Sequence, residues 1–138
     1  MSTINIKDLQ QKKKETKDDS SFKNILNKEI TLFEKGISDK QKMHFYQQLH
    51  LLLEAGLDLK SALELHIEGV KNKKQKAILQ EVKDVLIEGS SLSEAMLASK
   101  KYSNYECFSI KIGEETGQLS VILKELSLFF QNKIKQRQ

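Results

Sequence analysis

The sequence predicts an all-α protein, folded as a compact bundle of about six short antiparallel helices. Apolar residues recur every three or four positions along most of the chain, which is the spacing of one helix face. No segment of strand length alternates apolar and polar residues, and no Asn-Gly pair signals a hairpin. Proline is absent from the 138 residues, so helices can run without that interruption. Because short helices are unstable alone, we expect them to pack through their apolar faces.

The first 37 residues are predicted to lie outside the bundle. Residues 1–20 are polar and lysine-rich and contain little that could pack, so we expect a disordered tail. Residues 21–37 are predicted to form a short amphipathic helix and a linker, on the spacing of Phe22, Ile25, Leu26, Ile30 and Phe33.

The bundle domain is predicted to span residues 38–138, and its first three helices follow one another closely. Ser38 and Asp39 can cap the first helix and Asp58 the second, because their side-chain oxygens accept the N–H groups of a first turn. Gly56 ends the first helix and Gly89 ends the third. The apolar stripes of these helices consist of Phe45, Leu49, Leu52, Leu53, Leu59, Ala62, Leu63, Ile67, Val70, Ile78, Val82, Val85 and Leu86.

Three further helices complete the predicted bundle. Ser91 and Glu94 have the spacing of a capping box, which starts a short fourth helix. The fifth helix begins near Tyr105 and is predicted to be interrupted by the glycine-containing region 113–117, and the sixth runs to the end of the chain. The apolar stripes of these helices consist of Leu92, Ala95, Met96, Tyr105, Phe108, Ile112, Leu119, Ile122, Leu123, Leu126, Phe129, Phe130 and Ile134.

The side chains that could carry chemistry form no catalytic or metal-binding pattern. None of the histidines, His44, His50 and His66, has another His or Cys three or four positions away, as a helical metal site would require. Cys107 is the only cysteine, and among aromatic neighbours it is expected to be a small buried thiol. A single cysteine forms no internal disulfide, which fits a reducing compartment. We therefore predict no enzyme activity and no cofactor.

Four glycines are predicted to be structural switch points: Gly56, Gly89, Gly113 and Gly117. They fall where helices end, and a positive φ is often needed there, which glycine adopts most readily. The Lys-Ser/Thr ending of a phosphate-binding loop is missing from both glycine-containing turns. An alternative for Glu114 is a divalent cation, since a helix break at that point would free backbone oxygens to join the carboxylate.

The charged residues leave a choice between a solvated surface and an anionic partner. The formal net charge is +4, and Arg137 is the only arginine. Because sequence-specific readers of nucleic acid depend on arginine forks, that class is disfavoured. The lysine clusters 12–14 and 71–76 could touch nucleic acid or lipid headgroups, but without arginine or interleaved aromatics a solvated face is favoured.

Three motifs, in order, resemble the cytoplasmic domain of the type II secretion system F and type IV pilus platform protein family. They are the Leu-Leu-Leu-Glu-Ala-Gly-Leu stretch at residues 51–57, Glu-Gly-Ser-Ser-Leu-Ser-Glu-Ala at 88–95, and Gly-Glu-Glu-Thr-Gly-Gln-Leu at 113–119. The resemblance covers residues 45–135. It implies a non-enzymatic domain of an inner-membrane platform protein, which couples an assembly ATPase to pilin or pseudopilin assembly.

The same resemblance implies partners and a location. The partners would be the cytoplasmic assembly ATPase, other inner-membrane assembly components, pilin or pseudopilin subunits and a second copy of the domain, with no nucleic acid. The location would be the cytoplasmic face of the bacterial inner membrane. The basic residues 133–138 are typical of the cytoplasmic flank of a membrane span, so we expect an N-terminal domain with a membrane helix after it.

The assignment leads to a prediction of contact residues and leaves one alternative function. Among exposed residues, Lys111, Glu114 and Glu115 are predicted to contact partners. The alternative function is a stand-alone helical adaptor or a lysine-rich nucleic-acid-binding domain, in which the N-terminal tail would be the active segment.

Overall fold

The computed structural model describes residues 36–137, and this part of the chain contains six α-helices and no strand. The helices are α1 (Asp39–Glu54), α2 (Leu59–Glu68), α3 (Lys73–Ile87), α4 (Leu92–Ser99), α5 (Asn104–Thr116) and α6 (Leu119–Arg137). The predicted all-α bundle of six helices is therefore confirmed. The predicted tail at 1–20 and most of the predicted amphipathic segment at 21–37 lie outside the described residues.

The helices form a closed ring in which each packs on its neighbours in sequence and α6 returns to α1. The α1–α6 pair is the most extensive, and it is antiparallel. At one end Arg137 Nη1 lies 2.7 Å from Asp39 Oδ2, and at the other the Ser120 hydroxyl donates to Glu54 at 2.6 Å. Because the turns are short, helix termini collect at two opposite ends of the bundle.

The predicted helix caps are present. The Ser38 hydroxyl accepts the Gln41 N–H at 3.1 Å, and the Asp58 carboxylate accepts the Ser61 N–H at 3.2 Å. Ser91 and Glu94 form the predicted capping box at the start of α4. These bonds satisfy N–H groups that have no partner inside the helix, so local sequence fixes where the helices begin.

The core is built from the predicted stripes of five helices. Residues of these stripes that are buried are Phe45, Leu49, Ala62, Leu63, Ile67, Ile78, Val82, Leu86, Leu92, Ala95, Met96, Leu123, Leu126 and Phe130. Others, including Leu52, Leu53 and Ile122, are partly buried against this cluster. Removing this apolar surface from water is the main force that holds the bundle together.

Helix α5 packs through a face different from its predicted apolar stripe. Tyr105, Phe108 and Ile112 are 55%, 64% and 41% exposed. The buried residues of this helix are Glu106, Cys107, Ile110 and Gly113. The predicted stripe of α5 was wrong for two reasons. The Glu106 carboxylate finds partners inside the bundle, and Gly113 lets α6 approach closely.

Glu106 is the centre of a buried polar cluster. Its capping box with Ser103 follows from local spacing, whereas its contacts with α1 do not. Its Oε2 accepts a hydrogen bond from Lys42 Nζ at 2.9 Å and from the Ser103 N–H at 2.7 Å, and its Oε1 accepts from the Tyr46 hydroxyl at 2.6 Å. The Glu106 side chain is 1% exposed and that of Lys42 is 8% exposed. Burial, followed by the nearby Glu106 charge, raises the pKa of Tyr46 well above its ordinary value, so this phenol remains a donor.

Aromatic rings complete the surroundings of the buried ammonium group. Lys42 Nζ lies 5.5 Å from the centre of the Tyr102 ring and 5.4 Å from that of Phe130. These distances allow attraction between the cation and the ring faces. The cluster thus joins α1 to α5, to the turn before α5 and to α6.

Gly113 lies inside α5, so the predicted interruption at residues 113–117 is wrong for all but its last residue. The helix continues to Thr116, and Gly117 ends it with a φ of +70°. A Cβ on Gly113 would lie 3.0 Å from Leu119 Cα and 3.0 Å from Ile122 Cγ1. The glycine is therefore required for the close approach of α5 to the start of α6, and not for a special backbone conformation.

We predict that Glu106→Gln destabilises the fold by about 3–5 kcal/mol, because it leaves the Lys42 ammonium buried without a charged partner. Adding Lys42→Met should recover part of this loss. Urea unfolding of the two single variants and the double variant measures the coupling. If the losses of stability in the two single variants add up to the loss in the double variant, the pair contributes no specific interaction.

We predict that Gly113→Ala lowers the free energy of unfolding by about 1–3 kcal/mol, because the new methyl group meets the backbone of Leu119. Gly69→Ala is the matched control, since its methyl group would meet only the His66 carbonyl oxygen at 3.6 Å. The free energy of unfolding of the control should equal that of the wild type or be slightly higher. Equal stability of all three proteins would disprove the packing role of Gly113.

Candidate partner-binding site

An open groove of about 580 Å³ runs between α4 and α5. The three predicted partner-binding residues, Lys111, Glu114 and Glu115, all line it. Leu97 from α4 and Phe108 from α5 add apolar side chains, which are 56% and 64% exposed. The groove therefore combines exposed apolar surface with charges of both signs.

Glu114 has a structural role in this groove because its carboxylate binds the beginning of α4. Oε2 accepts the Leu92 N–H at 3.0 Å, and Oε1 accepts the Ser93 N–H at 3.1 Å. Negative charge is favourable at a helix N-terminus, where N–H groups lack partners inside the helix. The side chain is partly buried and fastens α4 to α5.

This geometry corrects the alternative of a divalent cation at Glu114. That idea depended on a helix break, whereas α5 continues to Thr116 and the carboxylate is already bound to α4. Among residues 36–137, no group of three or more His, Cys, Asp or Glu side chains is arranged to hold a metal ion.

Lys111 and Glu115 are exposed and lie one turn apart on α5. At this spacing they share a helix face. Their ammonium and carboxylate groups provide a positive and a negative contact beside Phe108. Their role in partner binding remains a prediction.

The apolar residues Tyr105, Phe108 and Ile112 form an exposed row along α5, which we call the α5 strip. The strip extends to α6, because the Tyr105 and Phe129 ring centres lie 5.2 Å apart. Contiguous exposed apolar surface beside polar groups is typical of protein-binding sites. One sequence pattern could have predicted that the strip is exposed. Cys107, Ile110 and Gly113 form a narrower row on the opposite face of the helix.

Three further ionisable side chains, Cys107, His66 and His50, are held by burial or by a hydrogen bond. Burial raises the pKa of the Cys107 thiol to about 11, so it is protonated and poorly nucleophilic at neutral pH. His66 is buried, and burial, with a smaller effect of His44, lowers its pKa to about 4. His50 Nδ1 lies 2.8 Å from the backbone oxygen of Ser120, where it ties α1 to α6.

We predict that Glu114→Ala lowers the free energy of unfolding by about 1–2 kcal/mol, because two N–H groups of α4 lose their acceptor. Hydrogen exchange at Leu92 and Ser93 should become faster. Glu115→Ala is the control, since it removes an exposed carboxylate of the same helix and should stay within about 0.5 kcal/mol of the wild type. Unchanged exchange in Glu114→Ala would contradict the capping role.

Comparisons with known proteins agree with the family that the three motifs indicate. The family model described as "Type II secretion system (T2SS), protein F" matches residues 45–138, which include the groove and the α5 strip. The type IV pilus assembly protein PilC of Thermus thermophilus is 32% identical over 108 residues, which are 78% of this chain and 27% of that protein. The chain thus spans about a quarter of this relative. Within residues 36–137, no helix has both the length and the apolar composition needed to cross a membrane. The chain belongs to the type II secretion system protein F family.

Proposed function

We propose that the chain is a non-enzymatic cytoplasmic domain of an inner-membrane platform protein and that it couples an assembly ATPase to pilin or pseudopilin assembly. The observation that carries this proposal is the family match over residues 45–138, together with the relative that is named for type IV pilus assembly. The proposed location is the cytoplasmic face of the bacterial inner membrane.

The α4–α5 groove and the α5 strip are the proposed contact surface for the ATPase. Within residues 36–137, Phe108 is the most exposed of the large apolar residues, and it lines the groove, so it can insert into a partner. Aromatic side chains surrounded by polar groups often supply most of the binding free energy at protein interfaces. Lys111 and Glu115 can fix the orientation of the partner through charge.

A domain that transmits force must keep the shape of the surface on which force acts. Here Glu114 joins α4 to α5, and Gly113 allows α6 to pack tightly on α5. The ion pair of Lys42 and Glu106 joins α5 to α1. Movement applied to the groove would therefore reach the rest of the bundle as a rigid-body displacement, which supports a coupling role.

The other proposed partners are the inner-membrane assembly components, the pilin or pseudopilin subunits and a second copy of the domain. A second copy could use the same groove, since Lys111 and Glu115 provide opposite charges on a single helix face. Binding assays for the ATPase should therefore be accompanied by a measurement of self-association.

We predict that Phe108→Ser weakens binding to the cognate assembly ATPase by at least about tenfold, because it removes the central apolar contact. Leu65→Ser is the control, since Leu65 is 47% exposed on α2 and does not line the groove. The exchange of Lys111→Glu with Glu115→Lys should also weaken binding without a change in net charge. Co-elution and calorimetry with the purified ATPase measure both effects.

Two results would contradict this site. Equal binding by the wild type, Phe108→Ser and the charge-exchanged variant would remove the groove from the proposal. Equal weakening by Phe108→Ser and Leu65→Ser would show that the loss is not specific to the groove. Analytical ultracentrifugation of the same variants reports separately whether the groove serves self-association.

A further inference from the structure

The charged residues of the bundle are sorted between its two ends. One end, which we call the lysine end, consists of the start of α1, the α2–α3 and α4–α5 turns and the end of α6. The other, the carboxylate end, consists of the α1–α2, α3–α4 and α5–α6 turns. The ion pair of Arg137 with Asp39 and the bond of Ser120 to Glu54 identify the two ends of the antiparallel α1–α6 pair.

Contacts between the other helices place the remaining turns. The Lys42–Glu106 pair sets the start of α5 beside the start of α1, so the α4–α5 turn belongs to the lysine end. Gly36, just before α1, lies against the side chain of Lys101 in that turn. Along α2, His66 contacts the Phe45 ring in the first half of α1, which directs the α2–α3 turn to the same end.

The lysine end carries an unusual density of exposed positive charge. The α2–α3 turn and the first turn of α3 contribute Lys71, Lys73, Lys74 and Lys76, all exposed. No acidic residue occurs between positions 69 and 80. The capping Asn72 is neutral, so four ammonium groups lie within six positions without a local counter-charge.

Three other elements extend this positive surface. Lys40 lies at the start of α1, and Lys100 and Lys101 lie in the α4–α5 turn. The last turns of α6 contribute Lys133, Lys135 and Arg137, two of which pair with Asp39. Among residues 36–137, and apart from the buried Lys42–Glu106 pair, this end carries ten basic residues and two acidic ones, Asp39 and Glu68.

The carboxylate end has the opposite balance. Its acidic residues outnumber its basic residues Lys60, Lys83 and Lys111. The acidic residues are Glu54, Asp58, Asp84, Glu88, Glu94, Glu114 and Glu115. The acidic residues that line the α4–α5 groove belong to this group. The charges of residues 36–137 are therefore strongly polarised along the helix axes.

We propose that the lysine end binds an anionic lipid surface, and that the polarity of the bundle orients the domain with the carboxylate end away from the membrane. Each lysine near an anionic bilayer contributes about 1 kcal/mol, and the separate elements present their charges together at one end. This inference stands on the charge distribution and does not depend on the proposed coupling to an ATPase. It leaves the acidic part of the groove accessible to partners from the aqueous side.

The chemistry of the lysine end favours a lipid surface over nucleic acid. Nine of its ten basic residues are lysines, which act as compact point charges and lack the forked donors that read bases. Tyr105, which is exposed at the start of α5, packs its ring against that of Phe129 from α6. The α2–α3 turn contains no aromatic residue, and Tyr102 of the α4–α5 turn is buried, so neither lysine-bearing turn supplies a ring for stacking on bases. A headgroup layer requires neither feature.

Vesicle flotation with the 138-residue chain tests the proposal. The probe is vesicles of phosphatidylcholine with about 30 mol % phosphatidylglycerol, compared with phosphatidylcholine alone, at low and high salt. The first variant replaces Lys71, Lys73, Lys74 and Lys76 with glutamine. The control replaces Lys60, Lys83, Lys111 and Lys124 with glutamine, so both variants lose the same formal charge.

We expect the first variant to lose at least about tenfold in partition onto anionic vesicles, and the control less than about twofold, since four lysines at the lysine end act together. Lysines 12–14 are unchanged in both variants, so a difference between the variants reports the bundle. Binding of the wild type should fall at high salt and be absent on neutral vesicles.

The proposed orientation of the domain on the membrane is tested separately, by hydrogen exchange. Hydrogen exchange of the vesicle-bound chain should show new protection at residues 71–76 and 100–101 and none at 111–118. Protection at both ends, or only at 111–118, would overturn the proposed orientation.

Several outcomes would overturn the proposal as a whole. They are equal loss in both variants, no loss in the first variant, equal binding to neutral vesicles, and a salt-sensitive shift of duplex DNA at protein concentrations that leave vesicles unbound. Circular dichroism of both variants confirms that they remain folded.

Discussion

The ion pair of Lys42 and Glu106 is the constraint on which the arrangement of the helices depends. A charge buried in this core without its partner costs several kcal/mol, about 3–5 in comparable cases, so α1 and α5 must meet with these two side chains facing each other. The Tyr46 hydroxyl and the Ser103 N–H occupy the remaining acceptor positions of the carboxylate, which restricts the rotation of α5 further. Once Glu106 faces inward, Phe108 and Ile112 must face outward, because they lie on the other side of the same helix. The exposed α5 strip is therefore a consequence of a buried carboxylate.

Helix α5 is also the element through which the candidate site is supported. Its Glu114 binds the first N–H groups of α4, and its Gly113 receives the side chain of Ile122 from α6. The groove between α4 and α5 thus has walls fixed by hydrogen bonds on one side and by close packing on the other. Such support suits a surface that passes movement between proteins, since a site on mobile elements would absorb the displacement.

Within residues 36–137, the antiparallel topology gathers charged segments that are far apart in sequence at the two ends of the bundle. Lysines in the α2–α3 turn, the α4–α5 turn and the end of α6 are remote in sequence but share one end of the bundle. Acidic residues collect at the other end, where they also line the groove. A charged membrane surface acts on the sum of these groups and not on any single one, so the fold rather than a motif would set the orientation of the domain. Orientation would then use the lysine end, and partner binding would use the groove along α4 and α5, whose acidic residues lie toward the carboxylate end.

The sequence by itself determined the fold class, the six helices, the caps at Ser38, Asp58 and Ser91 and most of the core, because periodicity and capping act over a few neighbouring residues. The three motifs that indicated the family are also stretches of consecutive residues. Lys111, Glu114 and Glu115 were predicted as contact residues from their positions beside a glycine-containing turn. Only the tertiary structure decided which face of α5 is buried, since Glu106 finds its partner 64 positions away along the chain. It also decided that Gly113 is a packing position and that Glu114 caps another helix, because both residues contact a helix other than their own. Contacts between distant segments can reverse what a local pattern of apolar residues predicts, because a carboxylate is costly to bury only when it is alone.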